Sequence, residues 1–180
     1  MSLPRIIFFP RNTDQPIDNE QLIQALIKLE FIESKTVFNG QYLAGEKFLS
    51  LLTFLGCSPN INLLPLENES HCYITLITPS AGTQLLGYTN TARPKCPNCT
   101  KRINNWQTAD WTQANKQCTC DKCQTITDYA KLNWKHECGF ARGGFEVSYI
   151  YPHEAVPTEQ LLNGLKLLSN FEWTYCYANN

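Results

Sequence analysis

The sequence predicts an α+β fold, in which a mixed sheet carries helices on one face and a small cysteine-rich module is inserted near the middle. Three observations predict it. Short apolar runs that end at proline or turn residues indicate strands. Leucine recurs at helical spacing in residues 19–31 and 158–169. Two Cys-x-x-Cys pairs lie between these segments, within residues 93–135.

The N-terminal segment predicts a strand followed by a capped helix. Arg5–Phe9 is apolar after its first residue and is followed by Pro10, which indicates a short buried strand. Asp18 is suited to cap a helix over residues 19–31, because Gln21 follows three positions later as in a capping box.

The next segments predict a hairpin, a helix and a strand. The dipeptide Asn39-Gly40 favours a tight hairpin turn. Residues 45–56 fit both a helix and a buried strand, and their terminal Gly56 favours a buried helix. His71–Thr78 is rich in β-formers and predicts a strand.

The C-terminal third predicts a β-α-β unit with short joints. Phe145–Tyr151 and residues 172–177 have strand character, and residues 158–169 form one leucine stripe between them. We therefore expect residues 1–92 and 136–180 to form one α+β domain, with the cysteine-rich module inserted between them.

The module itself predicts short antiparallel pieces. We expect Lys101–Trp106 and Trp111–Thr119 to form two arms, and the alternating apolar side chains from Ile126 to Trp134 indicate a third strand. The glycine-rich stretch that follows, residues 136–144, is expected to be a loop.

The cysteine spacing indicates a metal site. Cys96 and Cys99 form the first pair, and Cys120 and Cys123 form the second after twenty intervening residues. Each pair places two sulfurs on one side of a tight turn, so two pairs complete a tetrahedral shell with Zn–S bonds of about 2.3 Å. Four thiolates leave no open position for water, which favours a structural site over a hydrolytic one.

The segments CPNC at 96–99 and CDKC at 120–123 resemble the knuckles of the zinc ribbon (rubredoxin-like) superfamily, over about residues 93–135. The resemblance implies one structural Zn²⁺ ion per chain. Thr100 and Gln124 stand where such knuckles often carry glycine.

Cys118 leaves the ligand set open at one position. It can replace Cys120 as a ligand, or it can pack beneath the site as a strand residue two positions before the knuckle. Disulfides are disfavoured, because the nine cysteines are an odd number and no secretory segment is seen.

Charge and hydropathy limit the classes of function. The net charge of −1 and the pI near 6.3 give no overall attraction to nucleic acid or to a membrane surface. No apolar run approaches the roughly 20 residues that a membrane span needs. The N-terminal apolar run is too short for a secretion signal, so we expect a cytoplasmic protein.

Two other groups of residues offer alternatives. The first could form a second, more open metal site, in an enzyme or a metal-handling protein: His71-Cys72, His136-Glu137-Cys138 and His153-Glu154. The second is Gly139–Gly144, whose amides and Arg142 could cradle a phosphate or carboxylate. No recognised catalytic motif is present, so we expect a non-enzymatic protein.

The module also carries candidate contact residues. Lys101 and Arg102 are basic, and Trp106 and Trp111 would be exposed anchors for a partner. The sequence therefore predicts a zinc-binding protein whose ribbon contacts a protein partner. Nucleic-acid binding, with the tryptophans stacked on bases, is the first alternative.

Overall fold

The computed structural model describes residues 3–37, 40–56, 61–65 and 70–179. These residues form three α-helices, α1 (Asn19–Lys28), α2 (Phe48–Leu51) and α3 (Glu159–Ser169), and the following strands: β1 (Arg5–Pro10), β2 (Ile32–Thr36), β3 (Tyr42–Ala44), β4 (Leu52–Phe54), β5 (Ile74–Ile77), β6 (Gln84–Tyr88), β7 (Gln117–Thr119), β8 (Ile126–Asp128), β9 (Cys138–Ala141), β10 (Gly144–Ser148), β11 (Ala155–Pro157) and β12 (Trp173–Ala178). The predicted α+β class is confirmed.

The main sheet has six strands in the order β12-β1-β10-β5-β3-β2. Every pairing in it is antiparallel, whereas the sequence predicted a mixed sheet. The predicted β-α-β unit exists as β10-α3-β12, but β1 lies between its two strands. The alternation β10-β1-β12 therefore makes β10 and β12 parallel without a hydrogen bond between them.

The helices α1 and α3 pack on one face of this sheet. Along β1, Ile6 and Phe8 point into the helix-side core, with side chains such as Leu26 and Leu165. Asp18 Oδ1 accepts hydrogen bonds from the backbone amides of Glu20 and Gln21, so the predicted N-cap is confirmed.

Helix α1 ends three residues earlier than predicted. Glu30 adopts a left-handed conformation (φ 56°), and the amide of Phe31 donates to Leu26 O at 3.0 Å. The amide of Glu30 donates to Ile27 O at 2.9 Å. This Schellman arrangement satisfies the last carbonyls and turns the buried Phe31 back onto the core, so the chain can enter β2.

The opposite face of the sheet is covered by the β6–β9 pair. Ile7, Phe9 and Cys176 point toward this side and pack with Ala141 of β9. The sequence predicted a loop at residues 136–144, and that prediction is wrong, because Cys138–Ala141 pairs with β6.

A glycine is needed at residue 139 in this layer. A Cβ atom at Gly139 would lie 2.6 Å from Cys176 Sγ and 2.7 Å from a Phe9 ring carbon. Close packing between two sheets therefore explains a glycine that looked like a loop signal.

The predicted helix over residues 45–56 is mostly wrong. Only Phe48–Leu51 is helical, and Leu52–Phe54 continues as β4, paired with β11. The amide of Leu55 also donates to Glu154 O at 2.8 Å. This apolar segment is therefore a strand because it pairs with β11, which lies about 100 residues further along the chain.

The hairpin predicted around Asn39-Gly40 is present as the β2–β3 pair, with a register shift between Ile32 and Thr36. Asn39 lies outside the described residues, and Gly40 has the positive φ (74°) that favours glycine. Among the residues that the structure describes, no helix has the length and apolar character needed to cross a bilayer.

The cysteine-rich module leaves and rejoins the main body at one place. Tyr88 at the end of β6 lies opposite Cys138 at the start of β9, so the chain exits and returns side by side. The buried cluster of the module, which includes Ile103, Tyr129 and Leu132, continues into the main body through Cys138 and Phe140 of β9.

Inside the module the predicted arms are replaced by a different pairing. β7 pairs with β8, and Lys95 forms bridges to Arg102 on one side and Asn133 on the other. The predicted third strand is shorter, because Tyr129–Lys131 forms a 3₁₀ turn after β8. The module is therefore built from short backbone segments that are joined by isolated β-bridges and by the β7–β8 pair.

Candidate metal centre

The first cysteine pair lies in a tight, hydrogen-bonded turn. The amide of Cys96 donates to Lys101 O at 2.9 Å, and the amide of Thr100 donates to Cys96 O at 3.0 Å. Thr100 adopts a left-handed conformation with φ 60°. This geometry points the sulfurs of Cys96 and Cys99 to the same side of the turn.

The second pair repeats the same hydrogen bonds. The amide of Cys120 donates to Thr125 O at 3.0 Å, and the amide of Gln124 donates to Cys120 O at 2.9 Å. Gln124 has φ 59°, the counterpart of Thr100. The two residues that replace the expected glycines therefore adopt the conformation that favours glycine, at some cost in backbone strain.

The four sulfurs converge on one point. One ligand atom from each of Cys96, Cys99, Cys120 and Cys123 lies within 4.8 Å of all the others. Across the two turns, Cys96 Sγ lies 3.7 Å from Cys123 Sγ, and Cys99 Sγ lies 3.6 Å from Cys120 Sγ. The cluster can hold a metal ion, since a tetrahedral shell with bonds of about 2.3 Å spaces its sulfurs at about 3.8 Å.

Cys118 lies outside this group. It is half-buried and packs against the core of the module, as the packing alternative predicted. Burial raises the pKa of its thiol, with a further contribution from Cys120. The group of four close sulfurs therefore includes Cys120 and not Cys118, and Cys118 packs against the core of the module.

Polar side chains surround the sulfur of Cys123. Its Sγ lies 3.2 Å from Thr125 Oγ1, and Asn98 Nδ2 donates to Thr125 Oγ1 at 3.0 Å. The side chain and backbone of Thr125 lower the pKa of Cys123 to about 6. The thiolate form of Cys123 is therefore favoured near neutral pH, whereas, despite a hydrogen bond from the backbone of Lys101, the pKa of Cys99 is raised to about 11 by desolvation and by the neighbouring thiols.

The predicted tryptophan anchors have a different role. Trp106 is only 4% exposed, so it is not an exposed anchor, and Trp111 is half-buried. Trp106 packs edge-on against both Trp111 and Trp134, with ring centroids 4.9 and 5.1 Å apart. Trp134 Nε1 donates to Tyr129 O at 2.8 Å. These rings pack together with Ile103 and Leu132 in the core of the module.

The basic candidates Lys101 and Arg102 are exposed, and two further lysines lie near them. The bridges of Lys95 bring it beside Arg102 and Asn133, and Lys135 follows two residues after Asn133. Lys135 is the main cause of a lowered pKa at Lys95, and Arg102 and Lys101 add to it. The sequence already placed Lys95 among the basic residues of the module, but it missed Lys135, because only the bridge to Asn133 brings Lys135 beside Lys95.

The residues of the alternative second metal site are not brought together. Among the described residues, the four cysteines are the only group placed to share a metal ion. His136 instead stacks on Tyr175, with ring centroids 4.0 Å apart, and its Nδ1 lies 2.7 Å from Tyr175 O. Cys72 and Cys138 are buried in two separate clusters.

The glycine-rich candidate for anion binding is also used structurally. Arg142 Nε donates to Ser80 O at 3.1 Å, and its Nη1 donates to Asp14 O at 3.4 Å. Arg142 thus ties two loops together, and the segment before it is the strand β9. No free phosphate cradle is formed by these residues.

Comparisons with models of protein families, with curated proteins and with solved structures found no match to this chain. The chemistry of the site therefore follows from its donor set. Four thiolates would fill the tetrahedral shell of a bound metal ion, which would leave no position for a substrate or an activated water.

Proposed function

We propose that the protein binds one Zn²⁺ ion per chain through Cys96, Cys99, Cys120 and Cys123, and that this structural site organises the ribbon as a contact module for a protein partner. The cross-turn sulfur distances of 3.7 and 3.6 Å carry the proposal. They match the spacing that a tetrahedral zinc site requires, and they are set by two turns with matching hydrogen bonds.

The bound ion would supply a cross-link between the two turns. The ribbon is held by single bridges and the short β7–β8 pair, so little regular structure fixes one turn against the other. In small modules of this kind the free energy of metal binding is also the free energy of folding. The proposed role is therefore structural, in a non-enzymatic protein.

The ligands require a reducing compartment. Eight cysteines in the described residues are free thiols, and those of the cluster must be thiolates to bind metal. Such thiols persist where glutathione and thioredoxin act, which supports a cytoplasmic location.

The exposed side chains of the ribbon support its proposed role as a contact surface for a partner. Its tryptophans pack inward, whereas the turn residues around the sulfurs, including Pro97, Asn98, Lys101 and Arg102, are exposed. A rigid, zinc-fixed turn presents such side chains at a low cost in conformational entropy, which favours specific contacts.

Elemental analysis of protein purified without chelator or added metal tests the proposal. One zinc per chain is expected, and Cys118→Ser should retain it whereas Cys120→Ser should lose it. One iron per chain in place of zinc would instead indicate a rubredoxin-like redox centre. A chain without bound metal would refute the proposal.

A further inference from the structure

Three stretches of the ribbon place four cations together. Lys95 bridges Arg102 on one side and Asn133 on the other, with reciprocal hydrogen bonds between the backbones of Lys95 and Asn133 at 2.9 and 3.0 Å. The amide of Cys96 binds Lys101 O, which keeps residue 101 beside the same strand. Lys135 lies two residues beyond Asn133. We call these four residues, Lys95, Lys101, Arg102 and Lys135, the cationic cluster.

None of the four cations has a carboxylate partner within the part of the chain that the structure describes. The four ion pairs found there use Arg5, Lys47, Lys131 and Lys166 instead. Lys101, Arg102 and Lys135 are exposed, and Lys95 is half-buried. Lys95 lies directly opposite Arg102 in one β-bridge and opposite Asn133, two residues before Lys135, in another, so like charges face each other across neighbouring backbone segments. An anion bound between them would relieve this repulsion.

The position of Lys135 is held by the backbone. Lys135 and His136 both have positive φ, 51° and 67°, in a turn closed by the hydrogen bond from the Glu137 amide to Trp134 O. Such a turn usually takes glycine or asparagine. Stacking of His136 on Tyr175 and the amide of Tyr177 donating to His136 O at 2.7 Å support the strained turn. These contacts therefore hold the backbone of Lys135 in one conformation.

The chemistry of the cluster favours a short acidic segment over a nucleic acid. The cations are concentrated on a chain whose net charge is −1, so a long polyanion would gain little beyond the cluster. Trp106 is buried and Trp111 half-buried, which leaves the ribbon without the stacking platform expected for unpaired bases.

We propose that the cationic cluster is the docking surface for an acidic segment of a protein partner. This inference rests on the proposed function, because the first turn that carries Lys101 and Arg102 is the one that zinc would fix. Two or three carboxylates in a short peptide would pair with Lys95, Arg102 and Lys135, and Arg102 offers a bidentate site for one of them.

The test uses the full-length, zinc-loaded chain and a fluorescent hexaglutamate peptide, with binding followed by anisotropy. Binding should weaken as salt rises from about 50 to 200 mM, because exposed charges are screened over that range. The double variant Arg102→Glu/Lys135→Glu should bind the peptide at least about tenfold more weakly, with zinc content unchanged. The neutral variant Arg102→Gln/Lys135→Gln should show an intermediate loss.

Lys35→Glu/Lys28→Glu is the matched control, because it makes the same charge change on exposed lysines of β2 and α1, outside the ribbon. It should retain peptide binding. Equal loss in this control would show a global charge effect and overturn the proposal. Tighter binding of a DNA duplex than of hexaglutamate at the same salt would overturn it in favour of a nucleic-acid partner.

Two further outcomes separate this inference from the proposed function. Zinc-loaded protein that does not bind hexaglutamate would refute the docking surface alone. Loss of zinc affinity in the charge variants, with peptide binding unchanged, would show that the cations only offset the charge of the metal thiolates. A chain without bound zinc would refute the proposed function first.

Discussion

The Sγ atoms of Cys96 and Cys123 lie 3.7 Å apart, although 27 positions separate the two residues in the chain. The intervening residues bring them together through two turns of the same design, each closed by a residue with positive φ. Local turn chemistry builds each half of the site, and the packed core of the ribbon sets one half against the other.

Loss of one ligand should unfold the ribbon and spare the main domain. We expect Cys96→Ser to lose its metal and to shift tryptophan emission to the red, because Trp106 and Trp134 are buried in the cluster that the ribbon forms together with β9. Far-ultraviolet circular dichroism should retain the signal of α1 and α3, since these helices pack in a separate cluster. Cys118→Ser is the matched control and should keep both metal and emission. A global loss of helix signal in Cys96→Ser would contradict the prediction that the main domain stays folded without the ribbon.

Removal of the metal should expose the ribbon to protease. After chelation, trypsin should cut first at Lys101, Arg102, Lys116 and Lys122, while fragments from the two sides of the ribbon stay associated. The β1–β10 and β1–β12 pairings hold these fragments together, so they should elute as one species in gel filtration. Zinc added before trypsin should restore resistance. Early cleavage at Lys28 or Lys166, in α1 or α3, would argue against one α+β domain with an inserted module.

Thr125 should extend zinc binding to lower pH. The Thr125 side chain and backbone hold the pKa of Cys123 at about 6, below the ordinary value for a thiol, so the thiolate persists until the pH falls toward that value. Thr125→Val removes the hydroxyl 3.2 Å from Cys123 Sγ, and the pKa should rise. Zinc release, followed with a colorimetric chelator during acid titration, should therefore occur at higher pH in the variant.

Thr127→Val provides the control for this titration, because it makes the same change within β8, two residues along the chain. Its release curve should overlie that of the unmodified protein. A release midpoint for Thr125→Val that is unchanged or moves to lower pH would show that the hydroxyl does not stabilise the thiolate.

Gly139→Ala should destabilise the main domain. The added Cβ would meet Cys176 Sγ at 2.6 Å and a ring carbon of Phe9 at 2.7 Å, in a closely packed layer between two sheets. Overpacking of this kind costs about 1–3 kcal/mol in the free energy of unfolding, measured by urea denaturation. Gly82→Ala is the control, since a Cβ there meets no heavy atom within 4 Å and should change stability by less than about 0.5 kcal/mol. Equal stabilities for the two variants would show that β9 can move away from β12.

Elements with a strong local signal could be predicted from the sequence. Asp18 caps α1 as expected, and the leucine stripe of residues 158–169 forms α3, because capping and amphipathic periodicity act within a few residues. The cysteine cluster could likewise be predicted from a local sequence signal. The spacing of each Cys-x-x-Cys pair places two sulfurs in one turn whatever the rest of the chain does.

Contacts between distant segments were decided by the tertiary structure. Leu52–Phe54 is a strand because Ala155–Pro157 pairs with it, and Cys138–Ala141 is a strand because β6 lies beside it. Neither partner is visible in the local pattern, and the glycine that suggested a loop is there for close packing against Cys176.

The ribbon shows the same division. Its sequence predicted the two cysteine pairs as candidate metal ligands, but not whether its tryptophans face solvent or the interior, since an aromatic side chain suits either. Packing of Trp106 between Trp111 and Trp134 placed them inside. The approach of Lys135 to Lys95 likewise depends on the bridge between Lys95 and Asn133, which are 38 positions apart in the chain. Local turn chemistry determined how each cysteine pair is arranged, and long-range backbone pairing decided which charged residues lie on the same surface.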